Sequence, residues 1–236
     1  MKVLALIVLG ALLSGPVPAQ ESHLYSVGFS GVLTTSSKLF RHPNDADIVT
    51  RSEYLPLNAI FGMAIDLRRS IESLRLQIGL SVEFLQKSDV RLEEVSGSNG
   101  STLIPISDGF TAVPVELSGY FVIPIGSEKA RLYMGGGGGV YFGSRDYRYA
   151  GISAEAVDRK TGYGIHVLSG FEYFIKQSVS LRTELKFRDV QFETVNAFRQ
   201  PSANYRGVSV NLDPAPFPSR INVDGMILSL GLAYSF

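Results

Sequence analysis

The last sixteen residues, 221–236, constrain the fold more than any other stretch of the chain. Met226, Leu228, Leu230, Leu232, Tyr234 and Phe236 share one parity, which is wholly apolar. Gly225, Ile227, Ser229, Gly231, Ala233 and Ser235 share the other, which is small or polar except at Ile227. A period of two over that length is a β-strand whose two faces meet different surroundings.

Seven further segments repeat the pattern with turn residues between them. The first, 24–34, sets Tyr25, Val27, Phe29 and Leu33 against Ser26, Gly28 and Ser30. The second, 54–67, groups Leu55, Leu57 and Ala59 with Phe61, Met63, Ile65 and Leu67. The third, 74–84, opposes Leu76, Ile78, Leu80, Val82 and Phe84 to Gln77, Gly79, Ser81 and Glu83. Segments 111–125, 131–142, 161–175 and 179–190 complete the set, and all exceed or match the 9–11 residues of a tilted transmembrane strand. Short turns near 68–72, 126–129 and 176–178 alternate with long connections at 35–53, 86–110, 144–160 and 194–220. Sorting of connections by parity is the habit of a membrane barrel with short periplasmic turns and long extracellular loops.

The start of the chain is consistent with export. Lys2 precedes an apolar run from Val3 to Leu13, followed by Gly15, Pro16, Val17, Pro18 and Ala19. This is the layout of a signal peptide, with cleavage expected after Ala19. The run is too short for a spanning helix. The expected division is thus a signal peptide over 1–19 and one barrel domain over 20–236. No Cys is present, which excludes disulfides and thiolate metal sites. Lys and Arg together number 22, as do Asp and Glu, so charge makes no case for nucleic acid. No residue pattern implies a cofactor or a metal.

The bulky face suits lipid, and the small or charged face suits the narrow lumen of eight strands. Tyr25, Tyr173, Tyr234 and Phe236 fall near strand ends, where aromatic girdles lie. PVELSGYFVIPI (114–125), RLYMGGGGGVYFG (131–143), SLRTELKFRDV (180–190) and the terminal GLAYSF together resemble the outer-membrane β-barrel family, in its eight-stranded OmpA, OmpX and OmpW type. The resemblance implies an all-β, eight-stranded antiparallel up-and-down transmembrane barrel in the outer membrane. It implies outer-membrane lipid and the barrel-assembly machinery as partners, with Tyr234 and Phe236 in the C-terminal insertion signal.

Parity places a set of polar side chains inside: Arg75, Glu83, Glu116, Arg131, His166, Glu172, Arg182, Glu184, Lys186 and Arg188. With the strands level, Glu83 and Glu116 sit at the height of Lys186 and Arg188, while Glu172 and Glu184 sit lower, near Arg182. Arg75 and Arg131 fall near the periplasmic mouth. Buried charges must be paired, so the expectation is an ion-pair plug. The function that follows is structural or surface-interacting, with an extracellular ligand or protein bound at the loops. The alternative is a narrow OmpW-like channel for small, mostly apolar solutes, and the remote one is a lipid-modifying enzyme. His166 has no Ser two residues away, so it reads as structural and the chain as a non-enzyme. Gly135–Gly139 lacks the Lys-Ser/Thr of a phosphate loop and reads as strand.

Overall fold

The computed structural model describes residues 24–97, 100–127 and 129–236. The expected signal peptide, 1–19, lies outside them. Long antiparallel strands dominate: β1 (Tyr25–Phe40), β2 (Tyr54–Ile71), β3 (Leu76–Gly97), β4 (Gly100–Ser127), β5 (Ala130–Tyr149), β6 (Ile152–Lys176) and β7 (Val179–Ala197). A small hairpin of β8 (Ser202–Tyr205) and β9 (Val208–Asn211) follows, then β10 (Phe217–Asn222) and β11 (Met226–Ser235). Each wall strand pairs with the next, and β10 and β11 both pair with β7 on one side and β1 on the other. β10 and β11 are therefore one wall strand broken at 223–225, and the ring closes at eight. At the seam Tyr25 N donates to Phe236 O at 3.0 Å and Phe236 N to Tyr25 O at 2.8 Å. Closure leaves no sheet edge along this height, which satisfies the backbone where water is excluded.

The outer wall carries the apolar parity. Phe61, Met63, Ile65 and Leu67 are 49–70 % exposed, and Leu228, Leu230, Leu232 and Tyr234 stand beside them in kind. Ile78, Leu80, Val82, Phe84, Leu117 and Phe121 continue the belt around the ring. A contiguous apolar band of this extent does not face water. It is the lipid-facing surface of a transmembrane barrel. Among the described residues no helix is long and apolar enough to cross a membrane.

Two expectations need correction. The long connections are largely strand. β5 and β6 meet at a two-residue turn, Ala150–Gly151, with φ of +51° and +83°, the doubly left-handed geometry that suits hairpin twist. The alternation of Arg145, Tyr147 and Tyr149 is therefore strand carried beyond the belt. Likewise β3 and β4 stay paired from Leu76 with Phe121 to Gly97 with Gly100. What remains irregular is 41–53, with the short helix α1 (Ile48–Ser52), and the segment around the β8–β9 hairpin.

The second correction concerns β2. Leu57 is fully buried in the lumen, whereas Phe61 and its partners face out. Ala59, at φ +53°, breaks the alternation between them, and the inward parity of β1 changes at the same level, from Thr34 to Ser37. Ala59 costs strain in this conformation, and it turns the apolar parity inward toward the loop end. Beyond Gly62 and Leu85 the β2–β3 ladder also stops. Above that point β2 pairs only with β1 and β3 only with β4.

Candidate functional site: the barrel interior and its mouth

The lumen is filled in layers. Nearest the turn end, Arg182 donates to Asp66 at 2.8 Å and to Glu172 at 3.0 Å. Arg68 reaches Asp66 at 2.6 Å and Glu184 at 2.5 Å, and its guanidinium lies 4.1 Å from the Tyr120 ring centroid. Tyr133 donates to Glu184 at 2.7 Å and Ser180 to Glu172 at 2.7 Å. Arg131 is the cross-strand partner of Glu172 and sits at the margin of this layer.

The next layer is tighter. Lys186 Nζ lies 2.8 Å from Glu83 and 2.5 Å from Glu116; Arg188 lies 2.8 Å from Glu83 and 3.4 Å from Glu116. Tyr141 donates to Glu116 Oε1 at 2.5 Å, and Arg188 reaches Thr34 at 3.4 Å. All four charged side chains are under 10 % exposed. Two carboxylates face two cations, so the charges cancel within the layer. The turn-end layer balances too, with Asp66, Glu172 and Glu184 against Arg68, Arg131 and Arg182. An internal cavity of about 30 Å³ lies between the two layers, room for a water or two.

A third layer is apolar. Leu39, Leu57, Leu85, Phe110, Phe192 and Ile221 come from six different strands and are 0–2 % exposed. On β5 the Phe192 ring lies over Gly143, where a Cβ would fall 2.3 Å from it, and on β6 a Cβ at Gly162 would meet Gln191 O at 2.5 Å and Phe192 Cβ at 3.1 Å. Above this layer stands a further polar group. Arg145 grips Asp108 through Nε and Nη2, both at 2.8 Å, and donates to Ser219 at 2.7 Å. Arg41 Nε lies 3.2 Å from Asp108. Arg41 is outside the apolar belt; burial lowers its pKa, Asp108 opposes that shift, and the guanidiniums of Arg91 and Arg145 add to it.

Gly137 explains one contact at the heart of the barrel. It is the cross-strand partner of both Ser118 on β4 and His166 on β6. With no side chain between them, Ser118 Oγ and His166 Nε2 meet at 2.8 Å across β5. A Cβ at Gly137 would lie 1.9 Å from Leu117 O, so the strand approaches β4 closely here. Glu116 Oε1 stands 3.9 Å from His166 Nδ1. The residue types are those of a nucleophile–base–acid relay, but that last separation is too long for a hydrogen bond. Glu116 is already engaged by Tyr141 and Lys186.

Of the ten interior residues expected from parity, Arg75 alone stands apart. It is exposed in the turn before β3, at φ +50°, with its carbonyl accepting from Val122 N at 2.9 Å. β3 begins at Leu76, two residues later than parity counting from Leu74 assumes. Three partners were not anticipated. Asp66 alternates with Ile65 and Leu67, so its inward parity is legible; Arg68 falls in the stretch that reads as turn; Tyr141, like Tyr133, lies in 131–142, where five glycines leave the phase of the strand unmarked. Tyr234 and Phe236 face outward at the seam, and the Phe236 ring stacks at 6.0 Å on Tyr25.

No family model matches the sequence, and no curated protein matches it. Solved structures with a similar outline include Neisserial surface protein A, at 12% identity over 90% of this chain and 97% of that one, with a TM-score of 0.47. Ail, the attachment invasion locus protein of Yersinia pestis, matches at 12% identity over 91% of this chain and 100% of its own, with a TM-score of 0.42. The outer membrane protease OmpT of Escherichia coli matches at 12% identity over 91% and 94%, with a TM-score of 0.38. The eight-stranded outer-membrane barrel architecture is carried by this chain's own closed ladder and apolar belt.

Proposed function

We propose that this is an integral outer-membrane protein whose lumen is closed and whose extracellular end is its working surface. The observation that supports this reading most is the stacking of two charge-balanced layers under a fully buried apolar one. Eight strands enclose a space that side chains fill, and here they fill it from nearly every strand. The charges and the apolar layer act as a joint plug. On this reading the export signal is cleaved after Ala19, and Tyr234 and Phe236 serve recognition by the barrel-assembly machinery. On the same reading the chain is a non-enzyme and its Ser118–His166 pair a structural bond, a view supported by the 3.9 Å separation of Glu116 from the buried His166.

Single-channel recording of the refolded protein in a planar bilayer tests the closed lumen. The wild type and Glu83→Ala/Glu116→Ala should both lack discrete openings, because the apolar layer remains intact in the double variant. Steady openings in the wild type would overturn the closed reading in favour of a narrow channel.

A further inference from the structure

At the loop end the fourth layer opens into a cavity of about 380 Å³, within the size range of small-molecule sites. Its walls combine two chemistries. Arg41, Arg91 and Arg145 line it, and so do Tyr147, Tyr149 and Phe217. The aromatic side is rigid: Tyr147 and Phe217 meet edge to face at 5.7 Å, and Phe198 packs on both at 5.9 and 6.1 Å. Arg145 is held by Asp108 and lies 4.6 Å from the Tyr147 ring centroid. The charge does not cancel. Three guanidiniums and one carboxylate, Asp213, line the cavity, and Asp108 beneath it offsets one more of the three through Arg145. Among the described residues no carboxylate forms an ion pair with Arg91. Arg41 Nη2 is buried and has no hydrogen-bond partner in the protein, a costly state for a charged group. Both layers below balance their charges, so a surplus in the one layer that opens outward calls for an anion from outside.

We infer that this cavity binds a small organic anion, its carboxylate, phosphate or sulfate group between Arg41 and Arg91 and its ring or apolar body against Tyr147 and Phe217. Guanidinium groups match the geometry of planar and tetrahedral oxyanions, and aromatic faces take rings without demanding a particular polar pattern. Arg91 stands where β3 has parted from β2 but is still paired with β4, opposite Ile106. The inference rests on the reading that the loop end is the working surface.

The test uses the full mature chain in phospholipid nanodiscs, followed by amide chemical shifts. Glucuronate, glucose and inorganic phosphate serve as probes. Glucuronate should give saturable shifts at Arg41, Arg91, Tyr147 and Leu212, glucose none, and phosphate weaker ones at the arginines alone. Arg41→Gln/Arg91→Gln should weaken glucuronate at least tenfold while the amides of the lower layers keep their shifts. No saturable response to glucuronate or phosphate overturns the site. A response to phosphate that equals that to glucuronate overturns the aromatic half of it. Exposure of the loop end is read separately, from labelling of Asn204→Cys on whole cells with a membrane-impermeant maleimide. Absence of labelling would sink the working-surface reading, whatever the probes do.

Discussion

Two of the buried arginine–carboxylate groups in the barrel solve different problems. Around Glu83 and Glu116, inside the apolar belt, two cations meet two anions and the charges cancel, although Arg188 Nε is left without a hydrogen-bond partner. Around Asp108, at the mouth, Arg145 alone takes both carboxylate oxygens, and Arg41 approaches from the side with a donor left over. In charge the inner group is finished; the outer one is not. A finished ion cluster holds strands together in a place water cannot reach, where any unpaired charge is expensive. An unfinished one tolerates its surplus only because solvent, or a ligand, completes it.

That difference predicts unequal costs for removing one cation from each. Lys186→Met leaves Glu83 and Glu116 facing only Arg188 in a closed lumen, and should cost about 3–5 kcal/mol of stability. Arg41→Gln leaves Asp108 its bidentate partner, and should cost about 1 kcal/mol or less. Urea unfolding in lipid vesicles, with heat-modifiable gel mobility as a second readout, measures both. Equal losses would mean that the mouth is as tightly closed as the lumen, and would break the contrast.

The glycines sharpen the same contrast from the backbone side. Gly137→Ala puts a methyl group against Leu117 O and between Ser118 and His166. Such overpacking should cost about 1–3 kcal/mol. The same change at Gly207, in the β8–β9 turn above the mouth, meets no neighbour but has φ +84°; its cost should be about 1 kcal/mol from backbone strain alone. Unfolding midpoints of the two variants compare them directly. A milder effect at Gly137 than at Gly207 would show that β5 can move away from β4.

The belt was legible because its physics is local. Lipid demands one apolar parity on every strand, and Ile78, Leu80, Val82 and Phe84 satisfy it without reference to anything distant. Interior charge was legible for the same reason in reverse: Glu83, Glu116, Lys186 and Arg188 each occupy the parity opposite the apolar one, and a lumen must bring such residues together. The apolar plug was hidden because it depends on a single φ angle. Leu57 has the same parity as Phe61, and nothing in an Ala at position 59 announces that it will take a left-handed conformation. The cavity at the mouth was hidden for another reason. Arg41, Arg91, Arg145 and Phe217 lie on four separate segments, and only ring closure places them together. Strand length beyond the belt was half legible, because the alternation of Arg145, Tyr147 and Tyr149 fits an exposed loop and an extended strand equally when no lipid requirement marks it.

A third ion pair, outside the belt and open to water, completes the comparison. Lys160 Nζ lies 3.0 Å from Glu193, and Arg220 approaches the same carboxylate at 3.5 Å. The hydrogen bond from Lys160 holds the Glu193 carboxyl below its ordinary value of 4.5, and it raises the Lys160 ammonium above 10.5. A carboxyl whose pKa is lower folded than unfolded stabilises the fold above the unfolded value, and that contribution disappears as pH falls through the folded one. The stability from Glu193 is therefore in place above about pH 4.5 and is lost below it. The Lys160 share runs the other way, present at neutral pH and lost only above 10.5. Exposed pairs contribute little and are screened by salt. Lys160→Gln should accordingly leave the unfolding midpoint at pH 7 nearly unchanged while flattening the slope of stability between pH 5 and pH 3. Urea titrations of both proteins at five pH values in that window check the slope. Identical slopes would mean that Arg220 alone holds the carboxylate, and would place this pair with the self-sufficient lumen clusters rather than with the mouth.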